Sequence, residues 1–269
     1  MAKENPRSRN AGGSFSKCCG PGFATCFLMG WGACISTVAE RIDMPSTIDA
    51  VVPVPDQYGQ FWMLSGDRSL RIAIADGEPH ADTVVRGPDT FAELWPSLEG
   101  FDHIDAAVPV PDQHGQFWML SDDRYVRIAI KGGEPHTDTV VRGPGSLEKD
   151  WPSLADFGRV DAVVPVPDQY GQFWMLSGDR SLRIAIADGE PHADTVVRGP
   201  DTFAELWPSL EGFDHIDAAV PVPDQHGQFW MLSGDRYVRI AIKGGEPHTD
   251  TVVRGPGSLE KDWPSLADF

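Results

Sequence analysis

The chain has 269 residues, and 40 acidic against 22 basic side chains give it a formal net charge of −18 at pH 7. A field of this sign repels nucleic acid and anionic membranes and attracts metal cations, polyamines or basic partners, so no nucleic-acid partner is expected. The alternative is that the acidity simply keeps the protein soluble. All four cysteines precede residue 35, so the rest of the chain is not a disulfide scaffold.

Residues 1–45 form a leader that is unlike the rest of the chain. A basic polar segment, a short apolar run over residues 22–35 and small residues ending at Ala39 resemble a secretory signal. A disordered or loosely docked extension and a modified or metal-binding role for the cysteines are the alternatives. The apolar run is too short for a stable membrane span. We therefore expect a secreted protein if the leader is a cleaved signal, and a cytoplasmic one otherwise.

The remainder of the chain, residues 46–269, is one unit written four times. The units begin at Asp49, Asp105, Asp161 and Asp217. The units therefore repeat every 56 residues, and a period of this size indicates a repeat architecture. Residues 49–157 and 161–269 are identical except for Asp122 against Gly234, so the order of units is A-B-A-B.

One unit predicts four strands and a short helix. The strands of the first unit cover residues 47–54, 61–64, 70–74 and 83–86. The first is rich in β-branched residues, the second is a continuous apolar run typical of a strand buried on both faces, and the third alternates apolar and polar positions. Thr90 and Glu93 have the spacing of a capping box, which predicts a helix over residues 91–95 that Pro96 ends.

The predicted architecture is all-β. A four-stranded unit with a doubly buried strand is not stable alone, and radial stacking covers each unit with its neighbours. We therefore predict a four-bladed β-propeller with four antiparallel strands and a short helix in each blade. The blades cover about residues 46–100, 101–156, 157–212 and 213–269. A linear solenoid is the alternative, but it needs distinct polar end caps, and the last repeat here matches an internal one.

Several motifs follow the hemopexin-like repeat in order, and their wording is most similar to the plant albumin-2 branch. In the second unit these motifs are IDAA at 104–107, QFWMLS at 116–121, DRYVRI at 123–128, DTVVRGP at 138–144 and WPSL at 151–154. The resemblance spans all four units and implies a central channel, in which backbone carbonyls near the Ile-Asp-Ala motif hold ions. It also implies binding of haem, polyamines, metal ions or proteins. The chain lacks the cysteines that join the first and last blades in many animal members, and it lacks a protease domain.

The first strand of each propeller blade lines the axis, so the aspartates that open the units are expected to meet at one mouth of the channel. Four carboxylates or carbonyls around an axis suit a hard divalent cation, and calcium is the first candidate. The predicted metal ligands are Asp49, Asp105, Asp161 and Asp217, with Val51, Ala107, Val163 and Ala219, whose carbonyl role follows from the resemblance. The alternative is that the aspartates only cap turns or bind neighbouring backbone amides.

Strand direction places the loops between first and second strands, and between third and fourth strands, on one face. The first set of loops carries Tyr58, His114, Tyr170 and His226. The second set carries His80 and its copies, which are expected far from the axis. His103 and His215 are expected near the opposite mouth as a two-fold pair. These histidines suit haem iron or transition metals, and the carboxylates suit polyamine ammonium groups; the alternative is that loop histidines are exposed and idle.

No serine-hydrolase, zinc-protease or phosphate-loop motif occurs in the sequence. Fourfold repetition also works against the unlike groups that an active site needs. We therefore expect a non-enzymatic, monomeric binding protein, with a cation in the channel and a polyamine or haem at one mouth. A second hypothesis is a protein-interaction or toxin-associated module. A third is an engineered chain with a duplicated half, although recent natural duplication gives the same pattern.

Overall fold

The computed structural model describes residues 47–269, apart from residues 76, 79, 135, 188, 189, 191, 247 and 268. The predictions about the leader, including its cleavage and its cysteines, lie outside the described residues. The boundary between leader and propeller at residues 45 and 46 stays a prediction.

The described residues form sixteen strands in four sheets, and each sheet holds four consecutive antiparallel strands in chain order. The first blade contains β1 (Ala50–Pro53), β2 (Gln60–Ser65), β3 (Arg68–Ile74) and β4 (Asp82–Thr90). The second contains β5 (Ala106–Pro109), β6 (Gln116–Ser121), β7 (Arg124–Ala129) and β8 (Thr139–Ser146). The third contains β9 (Ala162–Pro165), β10 (Gln172–Ser177), β11 (Arg180–Ile186) and β12 (Asp194–Thr202). The fourth contains β13 (Ala218–Pro221), β14 (Gln228–Ser233), β15 (Arg236–Ala241) and β16 (Thr251–Ser258).

The first strands of the four blades surround one axis. β1 lies beside β5 and β13, and β9 lies beside the same two strands. The sheets therefore close into a ring, and the predicted four-bladed β-propeller is confirmed. The first strand of the first blade is shorter than predicted, because β1 covers Ala50–Pro53 and not residues 47–54.

A short helix follows the last strand of every blade. These helices are α1 (Phe91–Leu94), α2 (Leu147–Asp150), α3 (Phe203–Leu206) and α4 (Leu259–Asp262). The predicted capping box is present, because the backbone N–H and the hydroxyl of Thr90 both donate to Glu93 Oε2 at 2.9 Å. Pro96 has no N–H to continue α1, and the chain goes on as a 3₁₀ turn over Pro96–Leu98.

The hydrophobic core lies between the blades rather than within them. Side chains alternate along β2, so that Trp62 and Leu64 enter the core shared with the second blade, whereas Phe61 and Met63 enter the core shared with the fourth. This explains why the apolar run is continuous, and it confirms a strand buried on both faces. Trp62 meets the helix-end Trp95 edge to face, with ring centroids 5.4 Å apart.

Each blade is fastened to the next by one repeated contact. The backbone N–H of Ser97, after α1, donates to Asp138 Oδ2 of the second blade at 2.8 Å, and the Ser97 hydroxyl donates to the same oxygen. The equivalent pairs are Ser153–Asp194, Ser209–Asp250 and Ser265–Asp82. The last pair joins the fourth blade to the first.

Candidate binding sites at the two mouths of the channel

The two ends of the channel carry different chemistry. The aspartate mouth is defined by the residues that precede the innermost strands, Asp49, Asp105, Asp161 and Asp217. The loop mouth is defined by the loops that follow those strands, with Tyr58, His114, Tyr170 and His226 at their tips. The sites predicted from the sequence divide between these two mouths.

Every aspartate of the aspartate mouth accepts a hydrogen bond from the turn between the second and third strands of its own blade. The donors are the backbone amides of Gly66, Asp122, Gly178 and Gly234, at 2.7, 2.6, 2.8 and 2.7 Å respectively. One carboxylate oxygen of each aspartate is therefore held in place by its turn. The amide-binding role that was the alternative to cation binding is present, and it leaves the second oxygen of each carboxylate for other partners.

The carboxylates are close enough to influence one another. Burial raises the pKa of Asp217 above its ordinary value, and the charges of Asp49 and Asp161 add to this rise, whereas the Gly234 amide and His215 oppose it. Like charges gathered in a partly buried ring repel each other. A bound cation would relieve that repulsion, so the donor set fits a hard cation with oxygen ligands.

The residue two positions before each aspartate breaks the fourfold symmetry of this mouth. These residues are Thr47, His103, Arg159 and His215. Arg159 bridges two blades, with Nη2 2.9 Å from Asp105 Oδ1 and Nε 3.1 Å from Asp161 Oδ1. Its fixed positive charge offsets part of the negative charge that would attract a cation. Arg159 was not among the predicted site residues, because only the ring brings it between two aspartates.

His103 and His215 lie at the same mouth but in different surroundings. His103 Nε2 is 3.4 Å from Asp105 Oδ1 and 3.6 Å from Asp122 Oδ2. His215 instead holds Asp214 through Nδ1 at 2.7 Å, and its Nε2 lies 3.6 Å from Asp217 Oδ1. The expected two-fold pair is therefore unequal. Asp122, the single difference between residues 49–157 and residues 161–269, lies beside His103.

The middle of each innermost strand alternates between valine and alanine. These residues are Val51, Ala107, Val163 and Ala219. Ala107, Val163 and Ala219 are half-buried between fully buried neighbours, and Val51 is 9% exposed. This exposure pattern suits side chains that face the channel. The role of their carbonyls in holding an ion stays a prediction.

At the loop mouth, each predicted ligand side chain reaches an aspartate of the preceding blade. The Tyr58 hydroxyl donates to Asp224 Oδ1 at 2.9 Å and accepts the Asp224 backbone N–H. The His114 ring lies 3.1 Å from Asp56 Oδ1. Tyr170 with Asp112 and His226 with Asp168 repeat these two contacts. The four contacts form a belt that passes from blade to blade around the mouth.

The belt surrounds a basin with apolar walls. Two cavities of about 950 and 940 Å³ open at this mouth, and they are related by the two-fold repeat. The residues they share are Tyr58, Pro109, Val110, Tyr170, Pro221 and Val222. The cavities are therefore two lobes of one basin, with Phe61 and Phe117 in the wall of one lobe. The basin is large enough for a small organic ligand.

The remaining loop histidines are bound to the neighbouring blade. The backbone N–H of His80 donates to the Asp262 carbonyl of α4 at 2.8 Å, and that of His136 donates to the Leu94 carbonyl of α1 at 3.2 Å. His192 and His248 repeat these contacts. These loops thus dock on the helices that follow the outermost strands.

No protein-family model and no curated protein match the sequence. Solved structures do resemble it. A 2S albumin seed protein from Dolichos has a TM-score of 0.71 at 19% identity, over 83% of this chain and 99% of that one. The hemopexin fold protein CP4 from cow pea has a TM-score of 0.72 at 18% identity, over 82% and 97%. The protein has the hemopexin fold.

A third similar structure is a plant lectin with two metal binding sites from Cicer arietinum, with a TM-score of 0.68 at 19% identity, over 82% of this chain and 96% of that one. Identity this low establishes the fold alone. The motifs indicated a resemblance to hemopexin-like proteins and plant albumins, and this resemblance is confirmed for the fold. Within the described part of the chain, no helix has the length and apolar character needed to cross a membrane.

Proposed function

We propose that the protein is a non-enzymatic binding protein that takes a polyamine in the basin of the loop mouth and a divalent cation, preferably calcium, at the aspartate mouth. The observation that carries the proposal is the combination of apolar walls with a rim of four aspartates in one basin. A polyamine has methylene segments between ammonium groups, so it matches both parts. The two-fold repeat of the basin also matches a ligand whose two ends are alike.

The rim aspartates are positioned to meet ammonium groups. The carboxyl groups of Asp56 and Asp168 are both 68% exposed while they contact His114 and His226. They therefore keep access to solvent and to a ligand. The chain as a whole carries a net charge of −18, which concentrates cations near its surface.

Calorimetry with spermine tests the proposal. The Asp56→Asn, Asp168→Asn double variant should weaken spermine binding about tenfold, or roughly 1.4 kcal/mol. Asparagine tolerates the left-handed backbone conformation at these positions, where φ is 60° and 58°. The matched control is Asp67→Asn with Asp179→Asn, which removes the same charge from turns that lie away from the loop mouth. Equal weakening in the control would mean that the loss of net charge alone explains the effect. If the parent protein did not bind spermine, the proposal would be wrong.

Haem is the second candidate ligand, and the histidines of the belt favour it. His114 and His226 have side chains that are 76% exposed at the same basin, and a neutral imidazole nitrogen is a common iron ligand. A haemin titration followed by absorption should then show a histidine-ligated spectrum. The His114→Ala, His226→Ala double variant should lose that spectrum and keep spermine binding. If this variant kept an unchanged spectrum, His114 and His226 would be excluded as haem ligands.

The protein-interaction hypothesis predicts a different response. Its support in the structure is the outermost strands, where Val84 and Val85 are 51% and 45% exposed and their copies in the other blades are similarly exposed. A partner that adds to this edge would protect its backbone amides from hydrogen exchange. Small ligands at either mouth would leave those amides unchanged, so hydrogen exchange separates the two hypotheses.

A further inference from the structure

The only difference between residues 49–157 and residues 161–269 adds a carboxylate to the aspartate mouth. Asp122 has φ 52°, at the position where Gly66, Gly178 and Gly234 have φ between 55° and 56°. Aspartate is one of the few residues that adopt this left-handed conformation readily. The Asp122 amide still donates to Asp105, at 2.6 Å, as the Gly234 amide donates to Asp217 at 2.7 Å. The turn is therefore preserved, and only a side chain is added.

The added carboxylate completes a three-residue cluster. Nε2 of His103, an oxygen of Asp105 and an oxygen of Asp122 all lie within 4.8 Å of one another. The imidazole nitrogen is 3.4 Å from Asp105 Oδ1 and 3.6 Å from Asp122 Oδ2. Zinc bonds of roughly 2.0–2.1 Å in a tetrahedral arrangement separate neighbouring ligand atoms by roughly 3.3 Å. Two of the three separations are thus near the required value, and the Asp122 carboxyl, which is 63% exposed, is free to close the third.

Asp105 supplies an observation independent of the clustering. The residue is 2% exposed, and its Oδ1 faces the cluster without accepting a hydrogen bond in the described part of the chain. Arg159 lies 2.9 Å from this oxygen as a charge partner, but its side chain is 54% exposed and it also contacts Asp161 at 3.1 Å. A buried carboxylate oxygen without a hydrogen bond is unfavourable, so a metal ligated there would satisfy it.

We propose that His103, Asp105 and Asp122 form a site for a divalent first-row transition metal, with zinc as the representative ion. One imidazole nitrogen and two carboxylate oxygens suit such metals, and water would fill the remaining positions. The site lies to one side of the axis and occurs in one blade among those described. It shares Asp105 with the hard-cation site proposed for the ring of carboxylates, and it is separate from the basin at the loop mouth.

The fourth blade provides an internal comparison. It has His215 and Asp217 in the corresponding places, but Gly234 contributes no carboxylate. His215 is held by Asp214 instead, at 2.7 Å. This blade therefore offers two of the three ligands, and a single substitution supplies the third.

The test counts tight zinc sites by calorimetry and records the visible spectrum of bound cobalt(II). It uses the full chain with the leader cysteines changed to serine, because thiolates bind zinc on their own. The substituted cysteines are Cys18, Cys19, Cys26 and Cys34. We expect one tight site in this parent chain, none in Asp122→Gly and two in Gly234→Asp. His103→Gln should lower zinc affinity at least tenfold, since it removes the imidazole without changing a carboxylate.

The matched control adds the same charge without a histidine. Gly66→Asp places a carboxylate beside Asp49, where the residue two positions earlier is Thr47. This variant should keep one tight zinc site. A second site in Gly66→Asp, or undiminished zinc affinity in Asp122→Gly, would overturn the proposal. Circular dichroism of each variant checks that it is folded, and a parallel spermine titration separates failure of this site from failure of the loop-mouth proposal.

Discussion

Ser265 donates its backbone N–H and its hydroxyl to Asp82, and this contact closes the ring between the last blade and the first. Asp82 is 5% exposed and Ser265 is 9% exposed, so the donors have little access to water. The same contact between Ser97 and Asp138 joins two blades that the chain already links covalently. The closing junction and the internal junctions therefore have the same chemistry.

Replacing the acceptor at the closing junction should destabilise the protein. Asp82→Ala leaves two buried donors without a partner, and we expect the free energy of unfolding to fall by about 2 kcal/mol in urea denaturation. Asp138→Ala is the matched variant at an internal junction and should lose a similar amount. A loss in Asp138→Ala alone would mean that the ring is open in solution.

Tyr125 and Gly145 should be energetically coupled. The Tyr125 hydroxyl donates to Asp150 Oδ2 at 2.9 Å, and a Cβ on Gly145 would lie 2.6 Å from the tyrosine ring. Gly145→Ala should therefore cost about 1–3 kcal/mol through overcrowding. In the Tyr125→Ser background the same change should cost much less, because the ring is gone and Asp150 Oδ2, 2.7 Å from the same Cβ, no longer accepts the tyrosine hydroxyl and can move away. A double-mutant cycle of urea unfolding measures the coupling, and additive effects would contradict it.

The first and third blades solve this packing differently, which explains the alternation of units. Ser69 replaces the tyrosine, and its hydroxyl accepts the Trp95 indole N–H at 3.0 Å. Asp89 then stands where the second blade needs Gly145. The A and B units are thus two self-consistent sets of residues, and exchanging one member alone should be unfavourable.

The two buried tyrosines should lose their phenolic protons only at high pH. Burial and the hydrogen bond to a carboxylate raise the pKa of Tyr125 and of Tyr237 to about 12. The chain has four tyrosines, so the Tyr58→Phe, Tyr170→Phe variant isolates these two. Its absorbance should show phenolate near pH 12 when folded and near roughly pH 10 when unfolded in urea.

Because the folded state holds these two protons more tightly, stability should fall as the pH rises from roughly 10 to about 12. Urea unfolding across this range measures the fall. Tyr125→Phe with Tyr237→Phe should flatten that part of the curve, and a profile unchanged by the substitutions would show that other groups cause it.

Asp217→Asn should separate stability from cation binding. Burial raises the pKa of Asp217, so the proton is held more tightly in the folded state, and stability from this group falls as the pH rises through the folded pKa. Asparagine keeps an acceptor for the Gly234 amide and carries no charge. In urea unfolding, the variant should have a higher free energy of unfolding than the parent at neutral pH. This difference should disappear at acidic pH.

Calcium provides the second measurement on the same variant. A ligand that binds the folded state raises the melting temperature, so calcium should stabilise the parent more than Asp217→Asn. Equal stabilisation of both proteins would exclude the aspartate ring as the calcium site. Asp214→Asn, at an exposed position beside His215, is a control for the loss of one charge.

Much of the fold follows from patterns within one unit. The run from Phe61 to Leu64 predicted a strand buried on both faces, and Thr90 with Glu93 predicted the cap of α1, because these signals depend on near neighbours in the chain. The direction of the strands also predicted that the two groups of candidate ligands lie at opposite mouths. Their partners could not be predicted, since Arg159 reaches two blades and Tyr58 meets Asp224 only after the ring has closed.

The contact between Arg68 and Phe269 has a topological consequence. Arg68 Nη1 donates to the Phe269 carbonyl at 2.9 Å, and Arg180 makes the same contact with Phe157 at 2.8 Å, where the chain continues through residues 158–160. A circular permutant should therefore fold if Phe269 is joined to Asp49 through Gly-Arg-Val, a copy of residues 158–160, and the chain is opened between Phe157 and Gly158. The ring has no preferred first blade, and translation could begin at either A unit without changing what is packed.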